Sequence, residues 1–165
     1  MPLFAFLKIY AYNLIMLCGS IKDFVALLPP RGGLLGIDWG KKRIGVAITD
    51  YRRKFAFPRE TVNCQLSIVN LINSENIVGI VIGLPLYFNG AESDTTKKVR
   101  AFAMGLAKQI NVPIVLFDET LTSFEAAENL TESPPRRKAN PRNNNLDSKS
   151  AGIILENAIA VINRL

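Results

Sequence analysis

Four acidic residues stand at positions of this sequence where carboxylates could carry out chemistry. Asp38 lies inside the apolar segment 34–39, Asp118 and Glu119 directly follow the apolar segment 112–117, and Asp147 opens a final apolar stretch. Apolar segments of this kind are the buried parts of a fold, so their terminal carboxylates are held in fixed places. These residues are the first candidates for a functional site.

Asp38 requires a partner because an unpaired carboxylate costs roughly several kcal/mol when it is buried. A salt bridge with Lys41 or Arg43 is the purely structural explanation. A metal ion or a set of backbone donors would serve equally well. Asp147 has its own structural alternative, since aspartate at the start of a helix is commonly the N-cap.

The composition restricts the chemistry further, because the 165-residue chain contains no histidine. Ser-His-Asp and Cys-His catalysis, His-ligated zinc and histidine proton transfer are therefore excluded. Cys18 and Cys64 are far apart and lack metal-ligand spacing, which favours free thiols. An oxygen-only set of carboxylates favours Mg²⁺ or Mn²⁺, and such a set can hold two ions about 4 Å apart for phosphodiester cleavage.

Basic residues accompany the carboxylates, and the net charge of +6 suits a polyanionic partner. One basic triplet follows Asp38 and another precedes Asp147, and we expect both to bind phosphates: Lys41, Lys42 and Arg43, and Arg136, Arg137 and Lys138. A third triplet, residues 52–54, is expected at the far end of the hairpin, as a solvated turn or a distant backbone contact.

The elements that must position these residues follow from hydrophobic periodicity. Strands are predicted over 34–39, 43–50, 54–62, 77–83 and 112–117, and helices over 65–75, from 93, over 121–130 and from 147, with a mobile loop at 131–145. Pro58 places the third strand at an edge. If the later strands run parallel to the first, their carboxyl ends lie at the same edge of the sheet as Asp38. Asp118 and Glu119 are then expected to converge with Asp38 there.

The amino-terminal region is predicted to be distinct from this core. Residues 1–19 form an apolar extension that is too short and interrupted for a membrane span, and no stable membrane partner is expected. Residues 20–33 contain a short amphipathic helix capped by Ser20 and a linker, and residues 34–165 form the remaining domain. Because ordered patterning begins at Ser20, Met16 is a candidate translation start.

Four blocks of this sequence, in order, resemble the YqgF/RuvX family of Holliday-junction-resolvase-like or pre-16S rRNA nucleases. They span about residues 34–160 and comprise residues 36–47 (GIDWGKKRIGVA), 81–85 (VIGLP) with Asn89-Gly90, 118–123 (DETLTS), and Leu146-Asp147 before an Ala-rich helix. The third block departs from the family's Asp-Glu-Arg-Leu-Thr-Thr signature, since Thr120 stands at the arginine position. Trp39 replaces a smaller residue in the first block.

The resemblance implies a ribonuclease-H-like α/β fold, with a mixed five-stranded sheet of a three-strand meander followed by parallel strands, and helices on both faces. It implies that Asp38, Glu119 and Asp147 are the catalytic, metal-binding acidic triad. It also implies a cytoplasmic nuclease in 5′-end maturation of pre-16S rRNA, with the assembling small ribosomal subunit as a partner. Thr120 removes one cation beside that site.

Three alternatives remain open from the sequence. The same chemistry would cleave branched DNA, and no base-reading or 2′-hydroxyl-reading module decides between RNA and DNA. A non-catalytic nucleic-acid-binding protein of ribosome assembly could retain the carboxylates. The Gly-x-Asp-x-Gly hairpin also opens actin-like ATPases, but those need two lobes and this chain supplies one.

Overall fold

The computed structural model describes residues 16–87, 89–118 and 146–165. In chain order these residues form β1 (Leu17–Cys18), α1 (Ile21–Leu27), β2 (Gly33–Trp39), β3 (Ile44–Thr49), β4 (Ala56–Pro58), α2 (Gln65–Ser74), β5 (Ile77–Leu84), α3 (Asp94–Ala107), β6 (Ile114–Asp118) and α4 (Leu146–Ile162). The predicted helix 121–130 and the predicted loop 131–145 lie outside the described residues.

One mixed sheet organises these elements, in the order β1-β6-β5-β2-β3-β4. Strands β2, β3 and β4 form an antiparallel meander, whereas β5 pairs parallel to β2 and β6 pairs parallel to β5. This is the predicted ribonuclease-H-like arrangement. The predicted number of five strands was one too low, because Leu17–Cys18 of the apolar extension adds a two-residue edge strand beside β6.

The two faces of the sheet bury different sets of side chains. One face, with Ile37, Ile82 and Leu84, packs under α2 and α3. The other face, with Leu34 and Val81, packs under α1 and α4. Because successive strand residues point to opposite faces, this assignment fixes the direction of each strand side chain near the carboxylates.

Two of the helices begin at serine N-caps. Ser20 caps α1, as predicted, by accepting the Asp23 N–H at 3.2 Å. Ser93 and Thr96 form a capping box at the start of α3, and the Thr96 hydroxyl donates to the Pro85 carbonyl, which fastens α3 to the end of β5. Among the described residues, no helix is both long and apolar enough to cross a membrane.

Two large apolar residues of the helices are exposed rather than part of the core. Leu66 on α2 is 64% exposed and Ile153 on α4 is 58% exposed. The buried stripe of α4 consists of residues spaced at i, i+3, i+4, i+7 and i+8, namely Ala151, Ile154, Leu155, Ala158 and Ile159. Ile153 lies outside that stripe and is therefore exposed despite its apolar character.

The turn after β3 is held by a single carboxylate. Asp50 accepts hydrogen bonds from the backbone N–H groups of Arg52 (3.0 Å), Lys54 (2.7 Å) and Phe55 (2.8 Å). Arg53 adopts a φ of 58°, and its guanidinium donates to the carbonyls of Gly32 and Pro29 at 3.0 and 2.7 Å. The turn at the far end of the hairpin is therefore rigidly built.

Candidate active site

Asp38 lies near the carboxyl end of the central strand β2 and is half-buried. Its cross-strand partner in β3 is Gly45. Asp38 follows Gly36 by two positions, so both residues belong to the face that α4 covers. A central strand with helices on both sides holds this carboxylate in one place.

Close packing of α4 on two glycines brings Asp147 to Asp38. A β-carbon at Gly36 would lie 2.8 Å from the Ala151 carbonyl oxygen, and one at Gly45 would collide with the Asp147 carbonyl oxygen. The helix therefore rests directly on the backbone of β2 and β3, a contact that only glycine allows. Because Gly45 is paired with Asp38, this contact sets the first turn of α4 beside the Asp38 carboxylate.

The resulting electrostatics differ from those of an ordinary surface carboxylate. Burial and the nearby Asp147 carboxylate both raise the pKa of Asp38, and a hydrogen bond with the Ser150 side chain opposes the rise. Two like charges held at one site favour a cation between them. Asp147 lies within the first turn of the helix rather than at the N-cap, so the capping alternative is wrong.

Two serines of α4 complete the surroundings, and sequence reasoning missed both. Ser150 lies one turn after Asp147 and contacts Asp38. The Ser148 hydroxyl is buried with no hydrogen-bond partner among the described residues. The available signals were the i, i+3 spacing of Asp147 and Ser150, and the isolated Gly45 inside a strand pattern.

Of the acidic pair Asp118-Glu119, the described residues include Asp118, which is the last residue of β6. Asp118 is paired with Leu84, whose side chain packs under α2 and α3, so Asp118 belongs to the face opposite Asp38. Glu119 lies outside the described residues. Within the described ranges no group of three or more potential ligands assembles, and the structure thus brings together two of the three expected carboxylates.

The expected phosphate-binding residues are placed in part. Lys41, Lys42 and Arg43 are exposed in the loop between β2 and β3, directly after the strand that carries Asp38. Arg136, Arg137 and Lys138 lie outside the described residues. Trp39 packs on the opposite face, with its ring 6.4 Å from that of Phe102, so it belongs to the core there.

The mixed sheet with helices on both faces defines the class of fold as ribonuclease-H-like, and the family and relatives given next identify the class of protein as nucleases, which are hydrolases of phosphodiester bonds. A family model described as "RuvX: Holliday junction resolvase" matches residues 32–160. The chain therefore belongs to the RuvX family, as the four sequence blocks indicated.

Curated relatives cover nearly the whole chain. A protein of Rickettsia peacockii named "Putative pre-16S rRNA nuclease" is 37% identical over 156 residues, which are 91% of this chain and 100% of that protein. A relative of the same name from Ruegeria pomeroyi is 35% identical over 87% of this chain and 96% of that protein.

Solved structures with 12% sequence identity were also found. A T. thermophilus RuvC in complex with a Holliday junction substrate covers 79% of this chain and 94% of its own, with a TM-score of 0.49. A yeast mitochondrial Holliday junction resolvase covers 94% of this chain and 95% of its own, also with a TM-score of 0.49.

Proposed function

We propose that this protein is a metal-dependent nuclease that matures the 5′ end of pre-16S rRNA in the cytoplasm, acting on the assembling small ribosomal subunit. The observation that carries the proposal is the placement of Asp147 against Asp38 by the packing of α4 on Gly45. The names of the curated relatives support the choice of substrate.

The donor chemistry of the site fits a hard divalent cation. Asp38 and Asp147 supply carboxylate oxygens, Ser150 supplies a hydroxyl, and burial together with the nearby Asp147 charge raises the pKa of Asp38. Oxygen donors of this kind suit Mg²⁺ or Mn²⁺. When bound, such an ion activates water and stabilises the leaving oxygen of a phosphodiester.

We propose Glu119 as the third carboxylate. It directly follows Asp118, which belongs to the face opposite Asp38. Successive side chains of an extended chain alternate between faces, which favours Glu119 over Asp118 as the partner of Asp38. The triad would then come from the central strand, the neighbourhood of β6 and the last helix.

The chain's own residues have two further roles in this proposal. Lys41, Lys42 and Arg43, exposed directly after the strand that carries Asp38, bind backbone phosphates of the substrate, and the same role is proposed for Arg136, Arg137 and Lys138. Ser150 lies beside Asp38 and favours its charged form by opposing the rise of its pKa, and the Ser150 hydroxyl donates to the Leu146 carbonyl at 3.2 Å. Thr120 contributes no cation, so phosphate binding depends more heavily on these lysines and arginines.

The test is a substrate panel cleaved with Mg²⁺, Mn²⁺ or EDTA. We expect metal-dependent cleavage of an RNA carrying the 5′ precursor of 16S rRNA, and its loss in Asp147→Asn. Asp94→Asn is the matched control, because Asp94 is an exposed carboxylate in the first turn of another helix. It should cleave like the wild type.

Branched DNA is the second candidate substrate, favoured by the family model's description as a Holliday junction resolvase. The same panel includes a four-way DNA junction. Cleavage of the junction without cleavage of the RNA would replace the proposed substrate. Binding of either nucleic acid without metal-dependent cleavage would instead identify a non-catalytic assembly protein.

A further inference from the structure

A basic and aromatic surface lies at the end of the β2–β3 hairpin away from the carboxylates. We propose that this surface binds single-stranded RNA as a second contact for the substrate, an inference that rests on the proposed function for its ligand. It is called the Tyr51 surface below and consists of Arg31, Tyr51, Arg52, Lys54, Phe55 and Phe57.

The aromatic side chains of this surface are exposed to an unusual degree. Tyr51 is 48% exposed, Phe55 is 65% exposed and Phe57 is 52% exposed. Three large apolar rings within seven residues thus remain in contact with water and gain little packing in the isolated chain. Aromatic rings presented in this way are the platforms on which bases of single-stranded nucleic acids stack.

Two arginines lie over the Tyr51 ring, and the basic character of the surrounding segment favours a polyanion as the ligand. The guanidinium carbons of Arg31 and Arg52 lie 5.6 and 5.4 Å from the centroid of the Tyr51 ring. The segment 51–59 contains four lysines and arginines and no acidic residue. The nearest preceding carboxylate, Asp50, is engaged by three backbone N–H groups.

Acidic residues do occur at the border of this surface. Glu60 is exposed after β4, and Glu75 lies 3.5 Å from Arg59 in an exposed ion pair. Arg59 is therefore partly neutralised and is left out of the Tyr51 surface. The remaining cations still outnumber the nearby acids, which favours nucleic acid over an acidic or neutral protein partner.

The surface is preorganised by the turn that carries it. Arg53 is fixed to the carbonyls of Gly32 and Pro29, and Asp50 fixes the backbone from Arg52 to Phe55. A rigid platform loses less conformational entropy on binding than a loop would. The backbone that carries the exposed rings is thus already in place for binding.

The Tyr51 surface is separate from the active site. Six residues along an extended chain separate Gly45, the partner of Asp38, from Tyr51, a distance of about 20 Å. An RNA held at both places would extend along the hairpin. The surface would act on substrate affinity rather than on the bond that is cut.

The experiment measures binding of a fluorescein-labelled 18-nucleotide oligouridine by anisotropy, in EDTA, from 50 to 200 mM salt. For Y51A/F55A we expect about tenfold weaker binding with an unchanged salt slope, because stacking is lost while every cation remains. For R52A/K54A we expect the slope of log K against log salt to fall by about 1.4, or 0.7 per phosphate contact.

Two matched variants control this experiment. K98A/K108A removes the same charge from exposed positions of α3 and its end, and should bind within about twofold of wild type at 150 mM salt, where screening acts over about 8 Å. Y51F/F55Y keeps both rings and should retain wild-type affinity. Thermal unfolding of each variant shows whether the fold is preserved.

The proposal is overturned if folded Y51A/F55A binds the oligonucleotide within twofold of wild type. It is also overturned if that variant changes only a concentration-dependent self-association, which would identify a second copy of this chain as the occupant. RNA binding that depends on the Tyr51 surface in a wild type that cleaves nothing would refute the proposed function alone. Cleavage of precursor RNA with binding indifferent to the surface would refute this inference alone.

Discussion

Asp38 and Asp50 are two aspartates at opposite ends of one hairpin, and their surroundings shift their pKa values in opposite directions. Asp50 accepts three backbone N–H groups, led by that of Phe55, and these lower its pKa. Asp38 is half-buried near the Asp147 carboxylate, and its burial and this nearby charge together raise its pKa. One carboxylate is satisfied by its own turn, whereas we propose that the other binds a cation.

The comparison shows how a functional carboxylate differs from a structural one in this fold. A structural aspartate stabilises the backbone that surrounds it, and a functional one is held at a cost by the rest of the fold. Here the packing of α4 onto Gly36 and Gly45 imposes that cost. Substitutions of Asp38, Asp50 and Gly45 should therefore distinguish a carboxylate that supports cleavage from one that supports the fold.

The largest expected effect is on cleavage, where Asp38→Asn is compared with Asp50→Asn. Loss of the Asp38 carboxylate should lower kcat/KM on the precursor RNA by roughly 10³-fold, or about 4 kcal/mol, since it removes a proposed metal ligand. Asp50→Asn keeps an oxygen acceptor in its turn and should stay within about twofold of wild type. Equal losses in the two variants would end the distinction between them.

The next largest effect is on stability, and it tests the close contact between α4 and β3 at Gly45. Gly45→Ala should lower the free energy of unfolding by about 1–3 kcal/mol, because its β-carbon collides with the Asp147 carbonyl. Urea denaturation measures this change. Gly105→Ala is the matched control in the interior of α3, where the nearest atom to a β-carbon is the flexible Gln65 side-chain end at 3.4 Å.

We expect Gly105→Ala to be neutral or up to about 1 kcal/mol more stable, since alanine favours helix over glycine. If Gly45→Ala were equally harmless, the close approach of α4 would not be what brings the two carboxylates together.

The smallest effect is a pair of opposite pH dependences, measured as the free energy of unfolding in EDTA. The pKa of Asp50 is lower in the folded than in the unfolded protein, where it is about 3.9. Ionised Asp50 therefore adds to the free energy of unfolding above that pH, and this contribution is lost as the pH falls through the folded pKa. Asp50→Ala should thus lose about 1 kcal/mol at neutral pH, since water partly replaces these bonds, and less in acid.

The raised pKa of Asp38 reverses that sign. Protonated Asp38 adds to the free energy of unfolding below about pH 3.9, and this contribution is lost as the pH rises through its folded pKa. Asp38→Asn should therefore be the more stable protein at neutral pH, by less than about 1 kcal/mol after solvent screening, and lose this gain in acid. A destabilised Asp38→Asn at neutral pH would contradict the assigned repulsion.

Much of this protein follows from the sequence alone. Alternation and apolar runs predicted the meander, the parallel strands and the edge position of β4 with Pro58, because these patterns are local consequences of burial. The carboxylate Asp38 was identified in the same way, as a charge inside an apolar strand. The absence of histidine narrowed its chemistry to oxygen ligands.

The tertiary structure decided what periodicity does not encode. The strand Leu17–Cys18 forms only because β6 offers a free edge, and two residues carry no pattern of their own. Likewise, Ile153 is as apolar as its neighbour Ile154, and only the docking angle of α4 exposes it.

Asp38 and Asp147 lie close to each other although they are 109 positions apart in the chain. This proximity exists because Gly45 lacks a β-carbon at the point where α4 meets β3. The sequence determined which side chains are available for chemistry, and close packing between distant segments determined which of them meet.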